Sequence, residues 1–457
     1  MSSVQSEPRD KNTAPGESSP AQRVSADATA TPPPAVRVSH VTKVFGRRTK
    51  EVLKGLAGGL DRSELQEYGT AAVIDASFEV NPGEIFVVMG LSGSGKSTLI
   101  RMLNGLNPIT SGSVKVTDVE VNGLQGEKLR ELRREKMSMV FQHFALLPHR
   151  TVLENVAYGL EIQVVAKEER LERAQSWLER VGLTGWEDNL PSELSGGMQQ
   201  RVGLARAFAA DTEILLMDEA FSALDPLIRR EMQELLHELQ EELGKTIIFI
   251  THDLNEAMFL GDRIAVMRDG RVVQVGTPND ILTDPANDYV AKFVQDVDRA
   301  KVLTAADVME PPRAVIRATA GPRGALRIMR DLQTPTVFVT TTARRVIGFV
   351  RDTEVLAHVR AGQTDIAPIV HPLPSKVTKE QYLADLFELT IESPLPIAVV
   401  DERDRLLGVV PRITLLAALA NTEADVESTL TPIPMVPVEV IDATLKSTEH
   451  EGKEEQP

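Results

Sequence analysis

Gly90-Leu91-Ser92-Gly93-Ser94-Gly95-Lys96-Ser97-Thr98 follows directly on a short apolar run, Ile85-Phe86-Val87-Val88-Met89, and leads into Leu99-Ile100. The run suits a buried strand, and the segment after Lys96 suits a helix. A glycine-rich loop between strand and helix has a definite chemistry. Its glycines let the backbone turn so that several N–H groups converge on phosphate oxygens, and the helix N-terminus adds partial positive charge. Lys96 is placed to reach the β- and γ-phosphates of ATP, and the Ser97 hydroxyl to reach Mg²⁺. Gly90, Ser92, Gly93, Ser94, Gly95, Lys96, Ser97 and Thr98 are therefore the candidate nucleotide cradle.

Working outward, Ile214-Leu215-Leu216-Met217 and Thr246-Ile247-Ile248-Phe249-Ile250 are two further buried-strand runs. A helix is expected between them: Asp225 can cap it, Pro226 takes its first position, Gly244 closes it, and Ile228, Met232, Leu235, Leu236, Leu239 and Leu243 share one face. Strands alternating with amphipathic helices over residues 36–298 predict an α/β domain with a largely parallel sheet. Asp218 and Glu219 end the second run, where ligands bind in such sheets. Asp218 is placed to hold Mg²⁺ and Glu219 to orient and polarise an attacking water. Leu194-Ser195-Gly196-Gly197-Met198-Gln199-Gln200 starts another helix with two glycines, a second N-terminus able to take a phosphate. One ATP loop has no use for two such termini unless two chains share each nucleotide. Gln142 follows a strand-like stretch, and His252 ends the third run.

The rest of the chain is organised more loosely. Residues 1–35 are rich in Ser, Pro, Ala and Thr and are expected to be a disordered tail. Lys50–Ala72 reads as a helical insertion. Residues 303–422 carry a weak repeat: Val337-Phe338-Val339 leads to Val346-Ile347-Gly348-Phe349-Val350, and about sixty residues on Ile397-Ala398-Val399-Val400 leads to Leu406-Leu407-Gly408-Val409-Val410. Each half reads strand, turn, strand, helix, and the halves are expected to bury their apolar faces together. Residues 423–457, Pro-rich then charged, are expected to be disordered.

The chain has 457 residues, 42% hydrophobic and 25% charged, with no cysteine and a formal net charge of −16. That is room for two or three domains. It excludes a disulfide framework or thiolate metal site, and the acidic balance argues against nucleic acid as partner. No stretch approaches the length of a membrane-spanning helix, and no secretory leader is recognised. Work at a membrane would need docking onto a spanning partner.

Residues 36–298 resemble the ATP-binding cassette of ABC transporters. The motifs come in that family's order: the phosphate loop, Gln142 as Q-loop, Leu194–Gln200 as signature, Asp218 and Glu219, Ser222-Ala223-Leu224-Asp225 as D-loop, and His252 as switch. The resemblance implies a P-loop NTPase fold with Glu219 as general base, His252 on the γ-phosphate, and Gln142 touching Mg²⁺ and water while reporting to a membrane-spanning permease. It implies that Ser195, Gly196, Gly197 and Gln199, with Asp225, serve ATP held by a second copy, and that Phe45 stacks on adenine. Phe86–Thr98, Leu215–Arg229 and Gly276-Thr277-Pro278 look like the ATP-binding subunits of glycine betaine/proline importers. That narrower likeness implies an extracytoplasmic substrate-binding protein and a place on the cytoplasmic face of the membrane. The repeat resembles an α+β tandem CBS module, which in this group is regulatory. Positions where CBS nucleotide sites carry Ser or Thr and Asp hold Arg351 and Glu354, then Pro411 and Thr414, which points to a structural or ionic-strength role. An importer for another solute, or an ABC-type ATPase of translation or repair, is the alternative.

Overall fold

The computed structural model describes residues 32–142, 145–295, 297–393, 395–420 and 435–454. Its centre is a six-stranded sheet in the order Arg271–Gly276, Arg263–Arg268, Ile85–Met89, Thr246–Thr251, Ile214–Asp218, Met137–Phe141. All pairings are parallel except that of the edge strand Arg271–Gly276. The continuous apolar runs follow from burial on both faces. Ile85, Val87, Met89, Met217 and Phe249 point into one core; Phe86, Val88, Leu216, Ile248 and Ile250 point into the other.

A second, antiparallel sheet pairs Val36–Phe45 with Thr70–Val80 and with Ser111–Val116. The expected helical insertion is shorter than Lys50–Ala72. Helix covers Thr49–Ala57, Gly58 and Gly59 end it, and Thr70–Ala72 are already extended because Thr70 pairs with Phe45. Helices Val152–Ile162, Lys167–Arg180 and Gly196–Ala209 form a separate helical lobe with its own core, including Val156, Leu160, Leu178 and Val202. The helix Pro226–Leu243 forms as its sequence dictates. The Asp225 carboxylate accepts from the Ile228 amide at 3.1 Å, and Gly244 closes it at φ 61°.

The repeat folds as two matching halves. In each, a short strand pairs in parallel with a second, which pairs antiparallel with a third: Val315–Arg317, Thr336–Thr340 and Val346–Arg351, then Lys376–Val377, Ile397–Val400 and Leu406–Val410. The halves exchange reciprocal hydrogen bonds. Val346 N donates to Asp404 O at 3.0 Å, and Leu406 N to Arg344 O at 3.1 Å. Arg344 and Asp404 share a positive φ, 63° and 59°. Phe338, Val346 and Phe349 bury against Ala398, Val400 and Leu406. The second half also joins the cassette core, with Leu383, Leu386 and Leu415 in one cluster with Val290, Val294 and Val297.

The disordered reading of residues 423–457 is corrected in part. A helix spans Val438–Glu454, and Ile441 and Leu445 are buried against the first half of the repeat beside Leu326, Met329 and Val355. Arg330 donates to the Asp442 carboxylate at 3.1 Å, and the Val436 amide to Asp352 at 2.6 Å. Apolar burial and two polar ties outweigh the charged composition. Residues 1–31, most of the N-terminal segment, lie outside the described residues.

Candidate functional site

The parallel register sets the site. Met89 pairs with Thr251, Ile250 with Asp218, and Asp218 with Phe141. The next residue of each strand, namely Gly90, His252, Glu219 and Gln142, therefore emerges at the same, carboxyl, edge of the sheet. Four motifs far apart in sequence converge because four strands end level.

The phosphate loop closes tightly on its own strand neighbours. Gly90 has φ 150°, and a Cβ there would lie 2.2 Å from Met267 O. Gly95, at φ 104°, caps the helix Lys96–Leu103 and would meet Ala72 O at 2.2 Å. Only glycine suits either place. The first amides of that helix have no partner in it and face the loop. Lys96 is buried, and its Nζ donates to Gly90 O at 2.8 Å and Leu91 O at 3.2 Å, curled across the loop. Burial pushes its pKa down, opposed by the nearby charges of Glu219 and Asp218. Ser94 Oγ is buried without a partner among the described residues. A cationic ammonium, an orphan hydroxyl and a helix N-terminus around a glycine cradle fit a polyphosphate.

Glu219 adopts φ 49°, left-handed and unusual for a side chain of this size. Three bonds hold it there: its amide donates to Ile250 O at 3.0 Å, and its carbonyl accepts from Ser222 N at 3.2 Å and Ser222 Oγ at 2.9 Å. The His252 Nδ1 lies 3.3 Å from Glu219 Oε2, with the imidazole half exposed. Gln142 Nε2 donates to Ser222 Oγ at 3.2 Å, so the Q-loop residue reaches the same turn. Asp218 is buried and pairs with Arg101 Nη2 at 3.3 Å. Sequence reading missed Arg101, which carries no local signal beyond its place on the phosphate-loop helix.

The signature residues stand apart, on the helical lobe. Ser195 caps the helix Gly196–Ala209 and accepts from Met198 N at 3.3 Å. Gln199 Nε2 donates to Pro191 O at 2.9 Å and Leu194 O at 3.2 Å, bracing the loop before that helix. Phe45 ends its strand exposed, with Lys43 Nζ 4.8 Å from its ring centroid. Asp225 caps Pro226–Leu243, and Ser97 and Thr98 lie in the first turn of the phosphate-loop helix.

The ABC transporter family profile matches residues 73–222, which include the phosphate loop, Gln142, the signature and Glu219. The chain is 47% identical over 410 residues to the glycine betaine transport ATP-binding protein OpuAA of Bacillus subtilis (strain 168), covering 88% of this chain and 97% of that one. The chain belongs to the ABC transporter ATP-binding proteins. It is 48% identical over 395 residues to the glycine betaine/carnitine transport ATP-binding protein GbuA of Listeria monocytogenes serotype 1/2a (strain 10403S), 86% of this chain and 99% of that. It is 45% identical over 390 residues to the glycine betaine/proline betaine transport system ATP-binding protein ProV of Escherichia coli (strain K12), 84% and 97%. As an ABC transporter ATP-binding protein the chain is an ATPase. The aligned lengths exceed that of the cassette alone. Among the described residues no helix is long and apolar enough to cross a membrane.

Proposed function

We propose that this chain is the ATP-hydrolysing subunit of an importer for glycine betaine and related quaternary amines, held at the cytoplasmic face of a membrane by a spanning permease and served by an extracytoplasmic binding protein. The observation that carries the catalytic part is the shared sheet edge at which Gly90, Gln142, Glu219 and His252 emerge. The substrate class rests on the relatives' names and on their near-complete coverage.

In this reading the cradle Gly90–Thr98 binds the phosphates, and Lys96 leaves the loop carbonyls for the β- and γ-oxygens. Phe45 stacks on the adenine. Ser97, Gln142 and Asp218 offer hard oxygen donors of the kind Mg²⁺ takes beside phosphate. Mg²⁺ would neutralise phosphate charge there. Glu219, fixed by Ser222 and oriented by His252, takes the proton of the attacking water, and His252 steadies the γ-phosphate.

A second copy would lay Ser195, Gly196, Gly197 and Gln199 on the same ATP, with the two D-loops at Asp225 between them. Gly196 supports this: a Cβ there meets nothing within 4 Å, so the chain itself gives no steric reason for that glycine. A groove of about 500 Å³ lined by Met139, Phe141, Tyr158, Ile162 and Arg206 adjoins the Q-loop and suits a cytoplasmic helix of the permease. His143 and Phe144, which follow Gln142, lie outside the described residues. We read residues 36–298 as the cassette and 303–422 as a tandem CBS module. Glu354 binds His371 at 2.7 Å and Thr414 binds Glu310 at 2.6 Å, so both positions serve contacts within the module, in keeping with a structural or ionic-strength role.

The test is uptake of labelled glycine betaine into vesicles holding the complete transporter with ATP on the cassette side. Uptake lost in Lys96→Ala, and competed by other quaternary amines, is the expected result. Wild-type ATPase activity without betaine uptake would overturn the substrate assignment.

A further inference from the structure

We propose that Arg229 is a positioning residue for hydrolysis: it ties the D-loop carbonyl of Leu224 to the carboxylate of Asp253, and so holds the switch histidine against Glu219. The inference rests on the roles proposed above for Glu219 and His252.

Arg229 lies on the first turn of the helix Pro226–Leu243, just after the D-loop. Its Nη1 donates to Asp253 Oδ2 at 3.1 Å and its Nη2 to Leu224 O at 3.1 Å. Asp253 is the residue after His252, and its polar atoms are fully engaged. Oδ1 accepts from the amides of Asn255 at 2.9 Å and Glu256 at 3.3 Å, and its own amide donates to Thr251 Oγ1 at 2.9 Å. The D-loop is anchored at its other end by Ser222, whose hydroxyl and amide bind Glu219 O. A closed circuit results: Glu219 to Ser222, along the D-loop to Leu224, through Arg229 to Asp253, and by one peptide to His252, whose imidazole returns to Glu219.

Stability alone does not account for the arginine. It is only 27% exposed, and its Nε is buried without a partner among the described residues. A half-buried guanidinium with an orphan donor is a poor stabiliser beside an apolar side chain of like volume. What it contributes is a planar fork that spans two acceptors at fixed separation, which a lysine ammonium cannot reproduce. A buried pair one turn further on reinforces the joint: Gln233 Nε2 donates to Glu256 Oε1 at 3.2 Å.

Steady-state ATPase, equilibrium ATP binding and thermal melting of the full-length chain test this with Arg229→Ala, Arg229→Lys, Asp253→Asn, His252→Ala and the double variant Arg229→Ala/His252→Ala. Asp253→Asn keeps the Oδ1 cap and removes the charge that Arg229 grips, so it reports even if Arg229→Ala folds poorly. Expected is a fall in kcat of about tenfold for Arg229→Ala, Arg229→Lys and Asp253→Asn with ATP affinity within about twofold. The double variant should be no slower than His252→Ala, because both act through one group. Turnover within about twofold of wild type in Asp253→Asn and Arg229→Lys, or losses that multiply in the double variant, would overturn the inference. Full turnover in His252→Ala would overturn the site assignment itself; loss there with normal Arg229 variants would sink the inference alone.

Discussion

Replacing Glu219 by Gln probes the chemistry with little disturbance of the fold. Gln is nearly isosteric, and the main-chain bonds that hold φ at 49° come from Ile250 and Ser222, not from the side chain. What is lost is a proton acceptor 3.3 Å from His252 Nδ1. A positioned general base contributes about 10²–10⁴-fold. At about 1.36 kcal/mol per factor of ten that is roughly 2.7–5.4 kcal/mol of barrier. Binding responds differently. The cradle is untouched, and Glu219 is one of two carboxylates whose charge reaches Lys96. Removing that negative charge lowers repulsion against the triphosphate, so ATP affinity should hold or rise. Phosphate release and displacement of a fluorescent ATP analogue, measured on the full-length chain, separate the two effects. Turnover within about threefold of wild type would remove Glu219 as base, since even a weak general base contributes more. Affinity lost in step with turnover would mean that the side chain belongs to the cradle.

Burial raises the Glu256 pKa, with hydrogen bonds from Thr251 and Gln233 partly opposing it. A carboxyl whose folded pKa lies above its unfolded value stabilises the fold in acid and loses that contribution as pH rises through the folded pKa. Glu256→Gln should therefore raise the Tm at mildly alkaline pH, and the gain should shrink toward mildly acidic pH; a gain confined to acid would contradict the burial argument. In the repeat module, a Cβ at Gly348 would lie 2.0 Å from His371 O, whereas at Gly408 the nearest atom is the Met309 sulfur at 2.9 Å, at the flexible end of a side chain. Gly348→Ala should cost about 1–3 kcal/mol as overpacking, and Gly408→Ala distinctly less, in thermal melts; equal losses would refute the asymmetry.

The cassette was legible because three central strands are apolar runs that each end in a chemical motif. Ile85–Met89 delivers Gly90, Ile214–Met217 delivers Asp218 and Glu219, and Thr246–Thr251 delivers His252. Their convergence required only that the strands be parallel and end level. What the sequence hid depends on packing between distant elements. Arg229 looks like any exposed charge on an amphipathic helix; its role depends on Asp253 lying opposite, 24 residues on. The helix Val438–Glu454 had a faint stripe in Val438, Ile441 and Leu445, but neighbouring prolines and charges resemble a tail, and the stripe gains meaning only against Leu326 and Met329. The end of the insertion helix was available in Gly58-Gly59.

The glycines of the two segments proposed to face phosphate bear on the proposal that one chain makes half a site. Gly90 and Gly95 are forced by neighbours within the chain, each with a backbone oxygen 2.2 Å from where a Cβ would be. Gly197 has the Ile228 methyl at 2.6 Å. Gly196 has nothing, and it opens the helix Gly196–Ala209. A helix-starting glycine whose Cβ direction is open leaves the backbone accessible to a group from outside the chain. The helix N-terminus it exposes carries unpaired amides and partial positive charge. The partner's γ-phosphate, in the proposed sandwich, matches both the space and the sign.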